Sequence, residues 1–168
     1  MRLLTLYCLT LLLTACYTFR GISIPAGVER AFVPVFEDNA LSAPPTLALD
    51  ITESLRDKVR DEARLVVTEE DPDIELRGTL VDFQVTAEGA SAGNETAAFA
   101  KQNRLTVVVA IEYTNLRDPD AENWRSNFTE SFPFDGNQTL ASVQDEAIAF
   151  ILENLNEKIF NRAFADDW

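Results

Sequence analysis

The 168-residue chain contains no histidine, and only two cysteines and one methionine. Lacking histidine, it lacks the commonest general base and a frequent metal ligand. It has no Gly-x-Ser-x-Gly elbow, no phosphate-binding loop and no cysteine cluster at metal-ligand spacing. Basic residues are also scarce: 14 Lys and Arg stand against 28 Asp and Glu, a net charge of −14. A surface this acidic does not bind nucleic acid by neutralising phosphates, and anionic lipid headgroups repel it. No apolar run reaches the roughly 20 residues needed to cross a bilayer as a helix. The acidic runs Glu69-Glu70-Asp71 and Asp166-Asp167 read as a solvated turn and terminus. Nothing in the order of the residues brings two carboxylates together as a general acid and base. These absences point away from an enzyme and from any bound metal or cofactor.

What is present begins with the leader. Arg2 precedes an apolar stretch from Leu3 to Leu13 that is too short to span a membrane and has the form of a removed signal. It ends in Leu13-Thr14-Ala15-Cys16, which resembles the lipobox of bacterial lipoproteins. Such a site needs small residues before the cysteine, so that the peptidase accepts extended backbone. It needs the cysteine as the new N-terminus, because the thiol and the freed amine carry acyl chains such as palmitate. Residues 1–15 are thus expected to leave, with Cys16 lipidated. Cys8 departs with the leader, so no thiol remains for a disulfide and a packed core must supply the stability. Beside a lipobox, the Asn-x-Thr sequons at Asn94, Asn127 and Asn137 read as chance.

The remaining chain is long enough for one domain with a substantial core. Residues 16–30, with Gly21, Pro25 and Gly27, read as a tether packing loosely on the body. Ala31 to Phe36 reads as a strand, and Pro34 within it argues for an edge. Pro44-Pro45-Thr46 opens a helix over 46–64 with Thr46 as N-cap. Leu47, Ile51, Leu55 and Val59 form its apolar stripe. Asp50 and Glu53 near its start, and Lys58, Arg60 and Arg64 near its end, suit the helix dipole. Ile74 to Val85 alternates as a strand whose apolar face changes near Gly78, as a bulge requires.

Residues 86–103, rich in Ala, Gly and Ser, read as a long loop of the functional or mobile kind. Leu105 to Tyr113 is apolar on both faces and reads as a central strand. After the Asp118-Pro119-Asp120 turn, Trp124, Phe128, Phe132 and Phe134 share one face of a strand. Arg125, Asn127, Thr129 and Ser131 share the other. Ser142 and Asp145 read as a capping box opening a long helix, with Ile148, Ile151, Leu152, Leu155, Ile159 and Phe160 inward.

The expected fold is α+β, a single domain in the order β-α-β-β-β-α. It has a four-stranded mixed sheet with two amphipathic helices packed on one face. No element remains to cover the other face, which is expected to carry Val81, Phe83 and Val85 or their neighbours. Such an apolar patch either marks a partner surface or is the ordinary scatter of exposed apolar residues on a twisted sheet.

A lipobox followed by this element order resembles the LptE family of lipopolysaccharide-assembly lipoproteins. Local segments are similar too: Ser23-Ile24-Pro25-Ala26-Gly27-Val28, Val33-Pro34-Val35-Phe36-Glu37-Asp38-Asn39 and Pro45-Thr46-Leu47. Others are Gly93-Asn94-Glu95-Thr96-Ala97, Asn103-Arg104-Leu105-Thr106 and Ile159-Phe160-Asn161. The resemblance implies a single LptE-like domain over 31–168, on a periplasm-facing lipoprotein anchored in the outer membrane. It implies a partner, the LptD-type β-barrel, which the protein enters as plug and assembly factor while lipopolysaccharide is carried to the outer leaflet. Tyr17 after the lipidated cysteine, where an inner-membrane protein would carry aspartate, agrees with that location. Some members of the family are thought to hold lipopolysaccharide through basic side chains, and this acidic chain offers only Lys101 and Arg104 as a candidate pair. The other reading of that pair is a solvated strand border. Two further readings of the chain are a lipid-carrier or chaperone lipoprotein with an apolar chamber lined by the 124–134 aromatics, and a pilotin-like escort of a secretion pore.

Overall fold

The computed structural model describes residues 22–88, 102–118 and 120–165. Among these are six strands and two helices. In chain order they are β1 Arg30–Phe32, β2 Glu37–Asp38, α1 Leu47–Asp61, β3 Val66–Val67, β4 Ile74–Glu88, β5 Gln102–Asn115, β6 Trp124–Asp135 and α2 Leu140–Phe164. The strands form one mixed sheet in the order β3-β1-β4-β5-β6, with β2 also on β4. The α+β class stands; the count of four strands is corrected to six. The two added strands come from the split of the expected first strand and from the two-residue β3, which is too short to leave a pattern.

The first expected strand, Ala31 to Phe36, is divided into β1 and β2. Both run parallel to β4, β1 beside Ile74 and Glu75 and β2 beside Thr79 and Leu80. Pro34 therefore marks an interruption and not a sheet edge, since β1 lies between β3 and β4. The backbone freed at the break is taken up by α1. Arg56 Nε donates to the Val33 carbonyl at 2.8 Å, and Phe36 N–H donates to Thr52 Oγ1 at 3.0 Å. Thr52 is fully buried and donates in turn to the Ala48 carbonyl at 2.7 Å, so its hydroxyl is satisfied on both counts.

The same break swings the Phe36 ring over Gly78. A Cβ at position 78 would overlap that ring, so glycine there makes room for an aromatic. The face change in β4 comes later than Gly78: its register against β5 shifts between Leu80 and Asp82, with Val81 as the extra residue. Phe83 is thereby turned into the core at 6 % exposure, while Val81 stays outside.

Strands β4, β5 and β6 form a long antiparallel meander, with β5 central as its two apolar faces imply. The meander reaches Glu88 and Gln102, so both ends of the expected 86–103 loop are strand. Residues 89–101 lie outside the described residues. Both helices pack on one side of the sheet. The α1 stripe Leu47, Ile51, Leu55 and Val59 and the α2 residues Ile151, Leu155 and Ile159 are fully buried against Leu76, Leu80, Val107, Val109 and Ile111. Trp124, Phe128 and Phe132 border this core, and Phe134 is within it. Ile148 and Leu152 are only partly buried, whereas Val143, Ala147 and Phe164, absent from the expected stripe, are buried.

Helix limits differ from expectation at the ends. The first helix stops at Asp61, and Arg64 beyond it has φ 57°, a left-handed residue that ends the turn. Thr46 occupies the N-cap position without a capping bond from its side chain. The second helix starts at Leu140 after Thr139, and Ser142 Oγ donates back to the Thr139 carbonyl at 2.7 Å, so there is no capping box at Ser142. Lys58 Nζ reaches Glu62 on its own helix and Glu157 on α2, both at 2.6 Å, clamping the two helices together. Burial disfavours the Lys58 charge, but the two carboxylates outweigh it and hold its pKa above the ordinary value.

Candidate functional site: the uncovered sheet face

With both helices on one side, the pleat sends every second residue of β4, β5 and β6 to a face that no described element covers. The expectation of an apolar patch there is corrected in part: Val81 is exposed as expected, but Phe83 is buried in the core. The cross-strand rows read Thr79-Ala110-Asn127, Asp82-Val108-Thr129, Gln84-Thr106-Ser131 and Thr86-Arg104-Pro133. Hydroxyls, amides and single charges dominate, and Val108, Ala110 and the expected Val81, exposed at the bulge, are the apolar exceptions. The bulge at Val81 explains the difference, because it returns Phe83 to the helix side. Thr106 and Ser131 share a hydroxyl hydrogen bond of 3.3 Å across the strands. At one end, Arg77, Glu112 and Arg125 stand in a row beside a groove of about 210 Å³ that Pro34 and Val35 close. The signal for this face was in the sequence on β6, where Arg125, Asn127, Thr129 and Ser131 alternate with the aromatics.

Arg104 lies on this face near the far end of the meander. Its guanidinium holds Glu88 with two bonds, Nε to Oε1 at 2.6 Å and Nη2 to Oε2 at 3.1 Å. Hydrogen bonding to Arg104 lowers the Glu88 pKa, and Glu88 raises that of Arg104. The arginine is thus engaged by a partner within the fold, although its side chain remains 38 % exposed. Lys101, the other half of the proposed pair, lies outside the described residues, as do Leu13, Thr14, Ala15 and Cys16.

At the opposite end, residues 22–29 meet the β5–β6 turn and the end of α2. Ser23 N–H donates to the Phe164 carbonyl at 2.6 Å, and Val28 is buried. Asp73 ties these pieces together. Its Oδ2 accepts from the backbone N–H groups of Glu29 and Arg30, each at 2.9 Å, and its Oδ1 accepts from Arg117 Nη1 at 3.0 Å. Arg30 Nη2 adds a longer contact of 3.4 Å. Beside it a cleft of about 530 Å³ is walled by Tyr113, Trp124, Arg117 and Arg162. Tyr113 and Trp124 stack with centroids 5.5 Å apart, and the Arg162 guanidinium lies 5.3 Å from the Trp124 ring. No sequence pattern singled out Asp73, since its partners lie more than 40 positions away.

The Glu29 N–H, then the Arg30 N–H and the two arginines, hold the Asp73 carboxyl far below the ordinary carboxylate range, against the opposing effect of burial. A depressed folded-state pKa contributes stability that is complete above the unfolded value, about 3.9, and is lost as pH falls through the folded value. The melting temperature of the wild-type protein is therefore expected to exceed that of Asp73→Asn at neutral pH. The gap should narrow below about pH 4, where the unfolded aspartate gains a proton. Thermal melts across pH check this, and a gap independent of pH would contradict it.

Among the described residues, no group of three or more acidic or cysteine side chains is placed to hold a metal ion, and no helix is long and apolar enough to cross a membrane. No curated protein matches the chain. Solved structures share its fold. A hypothetical protein of Chlamydia trachomatis superposes with a TM-score of 0.55 at 9 % identity, covering 80 % of this chain and 95 % of its own. A protein of Xanthomonas campestris gives a TM-score of 0.55 at 14 % identity, covering 85 % and 89 %. A minor lipoprotein of Acinetobacter baumannii gives 0.51 at 10 % identity, covering 81 % and 90 %. The sequence model of LptE, described as lipopolysaccharide-assembly, matches residues 28–163, which span β1 through nearly all of α2. The chain therefore belongs to the LptE family of lipopolysaccharide assembly.

Proposed function

We propose that the protein is an outer-membrane lipoprotein, held on the periplasmic side by acyl chains on Cys16. There it serves as a non-catalytic plug and assembly factor of an LptD-type β-barrel in lipopolysaccharide transport. In this reading residues 1–15 are the signal, 16–30 the lipidated tether and 31–168 the plugging domain. The observation that carries the proposal is the match to the lipopolysaccharide-assembly family over residues 28–163, and the uncovered sheet face, a field of hydroxyls and amides, suits it. A barrel lumen is polar, so a polar plug face loses little hydration there and gains hydrogen bonds. The lipid tether supports the same reading by keeping the plug at high effective concentration beside its barrel.

A lipid-carrier role needs an apolar chamber between helices and sheet. That space is filled by Ile51, Leu55, Leu76, Ile111, Leu155 and Ile159, each fully buried. Direct lipopolysaccharide contact through Lys101 and Arg104 requires Arg104 to exchange Glu88 for a phosphate, which is an exchange of one charge-assisted pair for another. Affinity purification after gentle detergent extraction tests the proposal. A large heat-modifiable barrel should co-purify. Recovery of the protein alone, or with a ring-forming secretin, would contradict it.

A further inference from the structure

Strand β6 is the outer strand of the sheet, and twelve residues of antiparallel edge are a template for another chain. In such a strand the N–H and C=O of one residue point to the same side, alternating along the chain. Three observations fix which residues point away from β5. Lys158 Nζ donates to the Thr129 carbonyl at 2.8 Å, the Ser131 N–H donates to Glu130 Oε1 at 3.0 Å, and position 133 is proline. The outward set is therefore Arg125, Asn127, Thr129, Ser131 and Pro133. Its second half is closed by a lysine, a glutamate and a proline, the devices that blunt an edge. Its first half, at Arg125 and Asn127, carries no such closure among the described residues.

The charges around this open half are also distinctive. Acidic residues outnumber basic ones two to one in the chain, so basic side chains readily find carboxylates. Yet among the described residues Arg125 and Arg162, like Arg64 elsewhere in the fold, lack a carboxylate within ion-pair distance. They flank the same stretch of edge from opposite sides of the sheet, Arg125 on the uncovered face and Arg162 on α2. Beside it, Phe128 and the α2 residues Asn154, Glu157, Lys158, Asn161 and Arg162 line a groove of about 480 Å³, in which Glu157 is held by Lys58 and Lys158 by Glu130.

We infer that the Arg125–Asn127 edge of β6 is a strand-addition site for an extended acidic segment of another protein. Main-chain bonds to residues 125 and 127 would supply affinity. Alternate side chains would supply selectivity, an acidic one beside Arg125 and an apolar one in the groove against Phe128. A second copy of this chain is disfavoured as occupant, because pairing this edge with itself brings arginine toward arginine instead of supplying the carboxylate that Arg125 lacks. The inference does not depend on which barrel or lipid the protein serves.

The probe is a synthetic peptide alternating glutamate and valine, added to the processed, lipidated protein in detergent. Amide hydrogen exchange should slow at Arg125 and Asn127, and affinity should fall about tenfold or more in Arg125→Glu. Asn127→Pro, which removes an outward donor as Pro133 already does, should abolish binding while the melting temperature changes little. Unchanged exchange at these two amides overturns the inference. So does equal binding of a lysine–valine peptide, or protection that rises with protein concentration alone, which would mean self-pairing.

Discussion

Gly78→Ala should lower stability by about 3 kcal/mol, the upper range for overpacking a core. In a domain of this size that is a fall in melting temperature of roughly 6–12 °C. An exposed glycine in a strand would behave oppositely, because alanine loses less backbone entropy on folding. Here the added methyl group has to displace Phe36, whose ring lies on the glycine and whose N–H is fixed to buried Thr52. The ring has nowhere to go while β1 and β2 hold both sides of the break. A double-mutant cycle isolates the cause. In a Phe36→Ala background, itself costing about 3–5 kcal/mol, Gly78→Ala should be nearly neutral. Additive effects would show that the clash with Phe36 is not the source.

Cys16→Ser should have an all-or-none effect on location. A serine hydroxyl does not replace the thiol that receives the diacylglycerol, so the precursor should keep residues 1–15 and incorporate no labelled palmitate. Each buried methylene contributes about 0.8 kcal/mol to membrane attachment, and a single acyl chain holds only marginally. Several chains make attachment effectively permanent, and losing them removes the hold. Mature, normally fractionating protein in this variant would overturn the lipoprotein assignment.

The elements most legible in the sequence are those whose periodicity carries their burial. Leu47, Ile51, Leu55 and Val59 repeat at helical spacing, and every one is fully buried. The β6 alternation separates aromatics from polar residues, and the structure puts the aromatics on the helix side. Features that depend on distant partners were not legible. The break between β1 and β2 rests on Arg56 and Thr52, some 20 positions later, taking up backbone groups at Val33 and Phe36. The bulge at Val81 moved Phe83 inward by a single-residue slip, which reverses a face. That slip turned an expected apolar patch into the mostly polar face that suits the proposed function. Pro133 was a missed signal: a proline inside a clear strand pattern marks an edge, and it pointed to the open side of β6.

The acidic balance of the chain also has a structural reading. Most described basic residues are spent on internal pairs, such as Lys58 with Glu62 and Glu157, Arg104 with Glu88, and Arg117 with Asp73. Exposed pairs of this kind contribute little each. Their effect is to leave a surface whose uncompensated charge is negative, with the two arginines beside β6 as a local exception. Such a surface suits a partner read by hydroxyls and amides rather than by broad electrostatic attraction.

The most direct measurement is photocrosslinking in intact cells from the uncovered face, with the reactive residue placed at Gln84 or at Thr129. Both positions are exposed, on neighbouring rows of β4 and β6. A polar plug seated in its barrel should give, from each position, an adduct of the mass of a large outer-membrane barrel joined to this protein. Cells in which both positions yield no such adduct, while the protein is present and lipidated, would contradict the account.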